Sequence, residues 1–513
     1  MHTMNRKHIL KLALISTFCM SFDLAIARAD RFQCMDLFRA KAFAGVDMDV
    51  VERMKARRRT PEQRVIQTMV TSQGLAKFRA DRGMLEDHTT YYSFTLPEKP
   101  VRGNQGQTGS CFITAVETAI EEVHLSKGQL LPDQTLSRPY ILFFDYLEKV
   151  GKHIDQLIAL RQQNDRLKNS TILKTIEPKI ADGGYAESVL FDIEKYGVVL
   201  NSAMPDRANS LASAAMLADI NTYVFNKSYE LWNFAEKFDK KAKALHARTL
   251  RGETTVDLEK LNEEQMKILQ AKKNEIVEGV YAILEVTLGP LPVSFKAQLP
   301  VKDPKTGKMT TEVQEFTPRE FATDYLKIDR SEWVNVSNLR NLPRGKAYQV
   351  KYQDMNVPIR KLNLTPRRMK ILVKKSLLAN IRVPFDSNFG PGVNRTTGDM
   401  QIGTDSTKGV YPFNRDQAPR ALSPSEMAML NLTEANHETV FTGFDLQKGA
   451  NVPSAFKVEN SWGSGIADDG NFKMLGAWFD LEVDGIMIHR SMLTEKELAQ
   501  WDANPVILPA DNE

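Results

Sequence analysis

The stretch Asn104-Gln105-Gly106-Gln107-Thr108-Gly109-Ser110-Cys111-Phe112 sets one cysteine at the threshold of a helix, six residues after a glutamine. From Phe112 on, the apolar residues Phe112, Val116, Ala119, Ile120 and Val123 recur at helical spacing. The glycines ahead of Cys111 suit a tight turn with exposed backbone, and Ser110 or Thr108 is placed to cap the helix. A thiol at a helix N-terminus sits in the positive end of the macrodipole, which favours thiolate over thiol. The Cys111 N–H and the Gln105 side-chain amide can together receive a developing oxyanion. One short loop would then supply both a nucleophile and an electrophilic pocket. A lone cysteine after glycine is more often a small core residue, so this reading needs a base and an orienting group elsewhere in the chain.

Both are found far downstream. His437 stands just before the apolar run Thr439–Phe444, and Asn460 ends another run in Val458-Glu459-Asn460-Ser461-Trp462-Gly463. A histidine at a strand entrance can turn one ring nitrogen toward a thiol, while an asparagine oxygen engages the other and fixes the tautomer. Trp462 is placed to shield that hydrogen bond from water. Either residue alone would be read as structural. Their joint occurrence with the Gln105–Cys111 loop is what points to acyl transfer by a thiol.

The rest of the composition narrows the class. The chain has 513 residues, 42% hydrophobic and 26% charged, ordinary for a globular protein of two or three subdomains. Its net charge of +4 is mostly carried by the first 29 residues, where Arg6, Lys7, Lys11 and Arg28 face Asp23 alone. No nucleic-acid footprint follows from such a balance. Those residues read as an export signal: a basic start, an apolar core from Ile9 to Phe22, and Ala27-Arg28-Ala29 before Asp30. Cleavage is expected after Ala29, with Ala27 the alternative, and the apolar run is short for a membrane span. Cys19 leaves with the signal, so Cys34 and Cys111 remain, too few for a disulfide framework. Cys34 is expected to be a buried structural thiol. No CxxC or HExxH cluster argues for a metal.

Taken in order, residues 30–95 read as helical, and Pro97 and Pro100 mark an extended entry to the Cys111 loop. Asp182-Gly183-Gly184-Tyr185 precedes a helix ending at Tyr196-Gly197, and the paired glycines let a ligand backbone approach closely. Residues 228–285 read as a charged helical hairpin turning at Arg251-Gly252. One stripe is Leu231, Phe234, Phe238 and Leu245; the other is Leu261, Ile268, Ile276, Val280 and Ile283. From 290 to 430, short β-like runs (Tyr348–Tyr352, Ile371–Val373, Ile381–Phe385) alternate with turns. Strands at Thr439–Phe444, Ala455–Glu459 and Asp484–His489 follow, with a helical patch at Ala477–Phe479.

These motifs resemble those of the papain-like cysteine peptidases: the Gln105–Cys111 loop, the Asn460-Ser461-Trp462-Gly463 motif and Asp182-Gly183-Gly184-Tyr185. The long gap from Cys111 to His437 is similar to that of the bleomycin hydrolase and aminopeptidase C branch. Leu136-Ser137, Tyr140, Phe143-Phe144-Asp145, Glu194–Val199, Met204-Pro205 and Ile507–Ala510 agree with it. The resemblance implies an α+β, two-lobed papain-like fold with large helical insertions. It implies Cys111 as nucleophile, His437 as base then acid, Asn460 as orienter and Gln105 as oxyanion donor. Gly183 and Gly184 would hold the substrate backbone. A homohexameric cage with inward-facing sites is also implied, with peptides as substrates and no cofactor.

The expected organisation is a signal at 1–29, a helical extension at 30–95, a mainly helical lobe at 96–290, a β-rich lobe at 291–500 and an arm at 501–513. Departures from the family pattern carry expectations of their own. Phe112 replaces a tryptophan with little expected change. Glu438 follows the histidine where a small residue is usual, and a carboxylate there would favour a thiolate–imidazolium pair. Export is unusual for the family, and an exported thiolate risks oxidation. The arm ends at Asp511-Asn512-Glu513, short of the family's usual arm. If it reaches the cleft, the carboxylates of Asp511, Glu513 and the terminus can bind a substrate ammonium group, giving an aminopeptidase. If it does not, an endopeptidase is the alternative, and a non-catalytic peptide-binding or cage-forming protein is a third.

Overall fold

The computed structural model describes residues 48–56, 59–73, 91–99, 103–162, 174, 176–255, 257–303, 306–351, 357–390, 392–401 and 435–508. The leader at 1–29, Cys34 and the terminal residues Asp511, Asn512 and Glu513 lie outside them. The chain divides into two compact units, residues 1–75 with 409–412, and 76–408 with 413–513. In the first, the described residues form helices α1 (Met48–Ala56) and α2 (Pro61–Gln73).

The second unit holds two hydrophobic cores. One is helical and centres on α3 (Cys111–Ser126), whose residues Phe112, Ile113, Val116, Ala119 and Ile120 are all buried. Around it pack α4 (Arg138–Gln162), α5 (Ala186–Tyr196) and the long helices α6 (Ala214–Leu250) and α7 (Leu258–Leu288). The stretches 136–144 and 196–204 meet at the side of α3. Ser137 N–H donates to Val199 O at 2.9 Å, Tyr140 Oη to Tyr196 O at 2.9 Å, and the Phe144 and Tyr196 rings stack at 3.8 Å.

The helical hairpin is longer than expected, and one residue of its stripe is wrong. Ile268 is exposed, and Leu269 takes the buried seat, seven residues ahead of Ile276 and so on the same face. Asp257 caps α7 by accepting from Glu259 N–H and Lys260 N–H, and Gly252 takes a positive φ in the turn. This core runs past residue 290. Strands β2 (Phe295–Lys302) and β3 (Met309–Phe316) form a separate hairpin that seats Phe295, Ala297 and Leu299 in it, and Phe321, Leu326 and Trp333 follow.

The second core lies against an eleven-stranded mixed sheet. Its strands are β1 (Phe94–Thr95), β4 (Trp333–Ser337), β5 (Lys346–Val350), β6 (Ile359–Asn363), β7 (Val383–Ser387) and β8 (Asp399–Met400), then five later ones. Those are β9 (His437–Asp445), β10 (Ala455–Glu459), β11 (Asn471–Leu475), β12 (Val483–His489) and β13 (Val506–Leu508). The spatial order is β13-β5-β6-β4-β12-β7-β9-β10-β11-β8, with β1 added alongside β9. Phe385 stacks on Phe441 at 4.0 Å, and Phe456 and Phe479 complete an aromatic layer beneath the middle of the sheet.

Ile371–Val373 is not a strand. It lies inside helix α8 (Pro366–Leu378), which Thr365 caps by accepting from Arg368 N–H, with Pro366 at the first helical position. A short apolar run is ambiguous between the two states, and the Thr-Pro start signal was the deciding feature. Ala477–Phe479 lies in helix α9 (Gly476–Glu482), as its pattern suggested. No described helix is long and apolar enough to cross a membrane.

Candidate active site

Gln105, Cys111, Gly183, Gly184 and His437 line one cleft of about 770 Å³ between the helical core and the sheet. Asn460 is buried behind His437, and Glu513 lies outside the described residues. Cys111 is the first residue of α3, so its N–H belongs to the helix turn that has no intrahelical acceptor. The expected side-chain cap is not formed. Ser110 Oγ instead pairs with Thr108 Oγ1 at 2.6 Å and accepts from Arg138 at 2.6 Å, tying the loop to α4.

Gln105 is held at both ends of its amide. Ser461 Oγ donates to its Oε1, and its Nε2 donates to Thr108 O, leaving the second Nε2 proton free to face the cleft. Its own N–H donates to Ser461 O at 2.8 Å, and an isolated bridge joins Asn104 to Trp462. The loop before Cys111 is thus stitched to the segment after Asn460, a link that no local sequence pattern displays.

On the sheet side, His437 Nε2 and Asn460 Oδ1 are 3.0 Å apart, and the same oxygen accepts from Ser461 N–H at 2.7 Å. The amide oxygen can only accept, so Nε2 carries the hydrogen and Nδ1 is the basic nitrogen. Trp462 stacks on the imidazole at 4.8 Å, and Phe389 meets it edge-on at 4.9 Å. Arg395 lies over the Trp462 ring at 4.5 Å. This aromatic box keeps the ring upright and dry.

Burial dominates the electrostatics. It pushes the Cys111 thiol up to about 11, although the main-chain amides of Glu438, Phe112 and Cys111 itself pull the other way. It pushes the His437 imidazole down to about 4, against the hydrogen bond to Asn460. Burial thus disfavours charge on both groups and works against the expected thiolate–imidazolium pair. Glu438 does not act as expected either. Its fully buried carboxyl is driven well above the usual carboxylate range by desolvation, then by Asp386 and Glu187, so it offers the imidazole no anion.

Gly184 owes its place to packing, and Gly183 to a left-handed turn of the backbone, with φ 94°. A Cβ at Gly184 would lie 2.6 Å from the Phe112 ring, and one at Gly109 would lie 2.7 Å from Asp182 Cβ. Phe112, buried as expected, is thus the floor on which the glycine segment rests. Asp182 accepts from Gly109 N–H at 3.0 Å and from Ser213 Oγ at 2.6 Å, and Tyr146 Oη donates to its other oxygen. Lys149 donates to Gly183 O and to Asp145, both at 2.6 Å. Asp182, Lys149 and Ser461 carried no role in the sequence reading, because each acts through a partner distant in the chain.

Among the described residues, no group of His, Cys, Asp and Glu could hold a metal ion. What the arrangement can do is acyl transfer. A carbonyl carbon above the sulfur has a base at Nδ1 to receive the thiol proton. Its oxygen has two N–H donors, from Cys111 and Gln105, in the position where negative charge develops.

Fold and cleft together define a cysteine-type peptidase. The chain belongs to the Peptidase C1-like family, whose profile matches residues 45–252 and 233–512. It is similar to aminopeptidase C of Lactococcus lactis subsp. cremoris, 28% identical over 456 residues, covering 87% of this chain and 94% of that protein. Aminopeptidase C of Streptococcus thermophilus is 29% identical over 450 residues, covering 86% and 92%. The crystal structure of PepW from Lactobacillus rhamnosis HN001 superposes with a TM-score of 0.71 at 24% identity, covering 90% of this chain and 97% of that one.

Proposed function

We propose that this enzyme is a thiol aminopeptidase that removes residues from peptide N-termini through a thioester on Cys111. The observation that carries the reading is the junction of Cys111, at a helix start, with His437 in one cleft, the imidazole held from behind by Asn460 just past the neighbouring strand. In the first half-reaction, Cys111 Sγ attacks the amide carbon while His437 Nδ1 takes its proton. The oxyanion is held by the Cys111 and Gln105 donors, and collapse expels the amine, which leaves with the proton from His437. Water then attacks the thioester by the reverse route, with His437 again as base. Gly183 and Gly184 present main chain to the substrate backbone. The similarity to proteins named aminopeptidase C supports the choice of N-terminal cleavage.

The reading extends to place and assembly. The basic start, apolar core and Ala27-Arg28-Ala29 of the leader support export, and the resemblance supports a homohexamer with sites facing inward. The deciding experiment compares an aminoacyl amide bearing a free α-amino group with its N-acylated twin, on mature enzyme under reducing conditions. Strong preference for the free amine is the expected result. Equal or faster cleavage of the acylated compound would make the enzyme an endopeptidase. Full turnover by Cys111→Ala protein would remove the thiol mechanism altogether.

A further inference from the structure

Arg138 is the first residue of α4 and is 4% exposed. Both placements are costly. A cation in the first turn of a helix opposes the macrodipole, and a buried guanidinium loses its hydration. The first turn of α4 holds no acidic residue to offset it. Such local conflicts concentrate at functional sites. What offsets this one is a set of hydrogen bonds, and they lead to the loop that opens α3.

One nitrogen of the guanidinium donates to Ser110 Oγ at 2.6 Å and to Thr108 Oγ1 at 3.2 Å, and another donates to Asp206. A guanidinium can only donate, which fixes the direction of the run beyond it. Thr108 Oγ1 gives its one proton to Gln105 O at 2.7 Å, so Ser110 Oγ donates to Thr108 Oγ1 across 2.6 Å. The Thr108 carbonyl accepts from Gln105 Nε2, the amide whose second proton faces the cleft. Ser110 immediately precedes Cys111, whose N–H is the other oxyanion donor. Arg138 thus reaches each donor through one residue, Gln105 through Thr108 and Cys111 through Ser110. Hydrogen bonds in such a run polarise one another, and a charge at its head strengthens it.

The segment that carries Asp206 fixes the loop from its other side. Ser210 Oγ donates to Asp206 Oδ1 at 2.9 Å, and Leu211 O accepts from Gln107 N–H at 2.7 Å. Gly106, at φ 61°, lies so close that a Cβ would stand 2.4 Å from Leu211 O. Glu117 on α3 also feels Arg138, but burial drives its carboxyl well above the usual carboxylate range, so the ion pair is with Asp206.

We propose that Arg138, anchored by Asp206, is a positioning residue that sets the spacing of the two oxyanion donors, Cys111 N–H and Gln105 Nε2. This rests on the peptidase reading and deepens it. Arg138 is not among the residues lining the cleft, so it acts on the substrate only through the loop. Misplaced donors lose transition-state stabilisation while ground-state binding stays.

The test separates attack that builds an oxyanion from attack that does not. Arg138→Met keeps the length of the side chain and removes its donors. On an aminoacyl amide with a free α-amine, kcat is expected to fall about 10- to 100-fold with KM moved less than about threefold. The matching aminoacyl aldehyde, whose hemithioacetal oxygen takes the oxyanion's place, should lose inhibition by a similar factor. Iodoacetamide alkylates the sulfur by displacing iodide from a saturated carbon, so the rate of Cys111 alkylation is expected to stay within about twofold. Ser110→Ala removes one link and leaves the ion pair. It should show the same pattern at smaller amplitude and, added to Arg138→Met, lower kcat no further. An unchanged kcat in Arg138→Met, or alkylation that falls in step with hydrolysis, overturns the proposal. If Arg138→Met does not fold, Ser110→Ala decides it on the same terms. A parent enzyme that is alkylated at Cys111 yet hydrolyses neither free nor N-acylated amides fails at the peptidase reading, and this proposal falls with it.

Discussion

A thiol held up at about 11 and an imidazole held down at about 4 share one dissociable proton over the whole interval between them. Moving that proton from sulfur to nitrogen changes the tautomer of the pair, not its charge, so activity is set by the pair's outer ionisations. For a substrate that does not itself titrate, kcat/KM is expected to hold its value down to about pH 5, because the buried imidazole resists protonation. An acid limb near 6.5, the value of a solvated histidine, would show that the cleft is wet in solution. Replacing Asn460 by Ala frees the imidazole to rotate and removes its tautomer lock. Stopped-time assays are expected to show kcat lowered about 10²-fold with KM little moved. Glu438 gives a prediction of opposite character. Its carboxyl is protonated when folded and ionised when unfolded above its ordinary range, so the folded state binds the extra proton and stability falls as pH rises. Glu438→Gln is therefore expected to raise Tm, and to raise it more at about pH 8 than at about pH 5. An equal gain at both would mean the carboxyl is ionised in the fold.

At the scale of elements, the cleft is held by a few contacts that bind the helical core to the sheet. Arg382, fully buried, donates to Glu122 on α3 at 2.9 Å, to Glu459 on β10 at 2.5 Å and to Pro97 O at 2.7 Å. It thus ties the cysteine helix to the strand that ends at Asn460. Arg382→Ala leaves the buried Glu459 and the half-buried Glu122 without their guanidinium and is expected to cost about 3–5 kcal/mol in a denaturant melt. Gly184→Ala drives a methyl into the buried Phe112 ring and is expected to cost about 1–3 kcal/mol, with the Phe112→Leu second variant recovering most of it. What the sequence made legible here were long or strictly patterned elements: the helix opened by Cys111, the strands around His437 and before Asn460, and the hairpin turn at Gly252. Ile371–Val373 misled because three apolar residues fit either period, and Ile268 because a one-residue offset decides which side of a helix is covered. The β2–β3 hairpin went unmarked, since β3 shows no buried face at all and carries no alternation to read. Within the site, residue types and order along the chain were visible. The stitching of Gln105 to Ser461 and of Gly109 to Asp182 was not, because those hydrogen bonds join positions that only the fold brings together. The opposing effect of burial was hidden for a related reason: the helix dipole is local and readable, whereas burial belongs to the whole cleft.

For the whole molecule, the surface of the helical half raises the question of what covers it. Among the described residues strand β3 is paired only with β2, and Val313 and Met309 on it are exposed, as are Val293 before β2 and Val286 near the end of α7. An unprotected edge strand bearing an exposed valine invites pairing with another chain, and stable proteins cover or charge such edges. A homohexamer would give this hairpin a neighbour, and it would also make access to the cleft depend on the size of the peptide. Sedimentation of the mature chain is accordingly expected to show a particle of six copies at working concentration. Val313→Lys, which places a charge on the exposed strand without entering either core, is expected to shift that particle toward smaller species. It should also speed the cleavage of folded or long substrates relative to dipeptide amides, because sites that a closed cage would turn inward would then be open to solvent. A monomer before substitution would remove the cage. A hexamer indifferent to the charge would place its contacts on other surfaces of the chain.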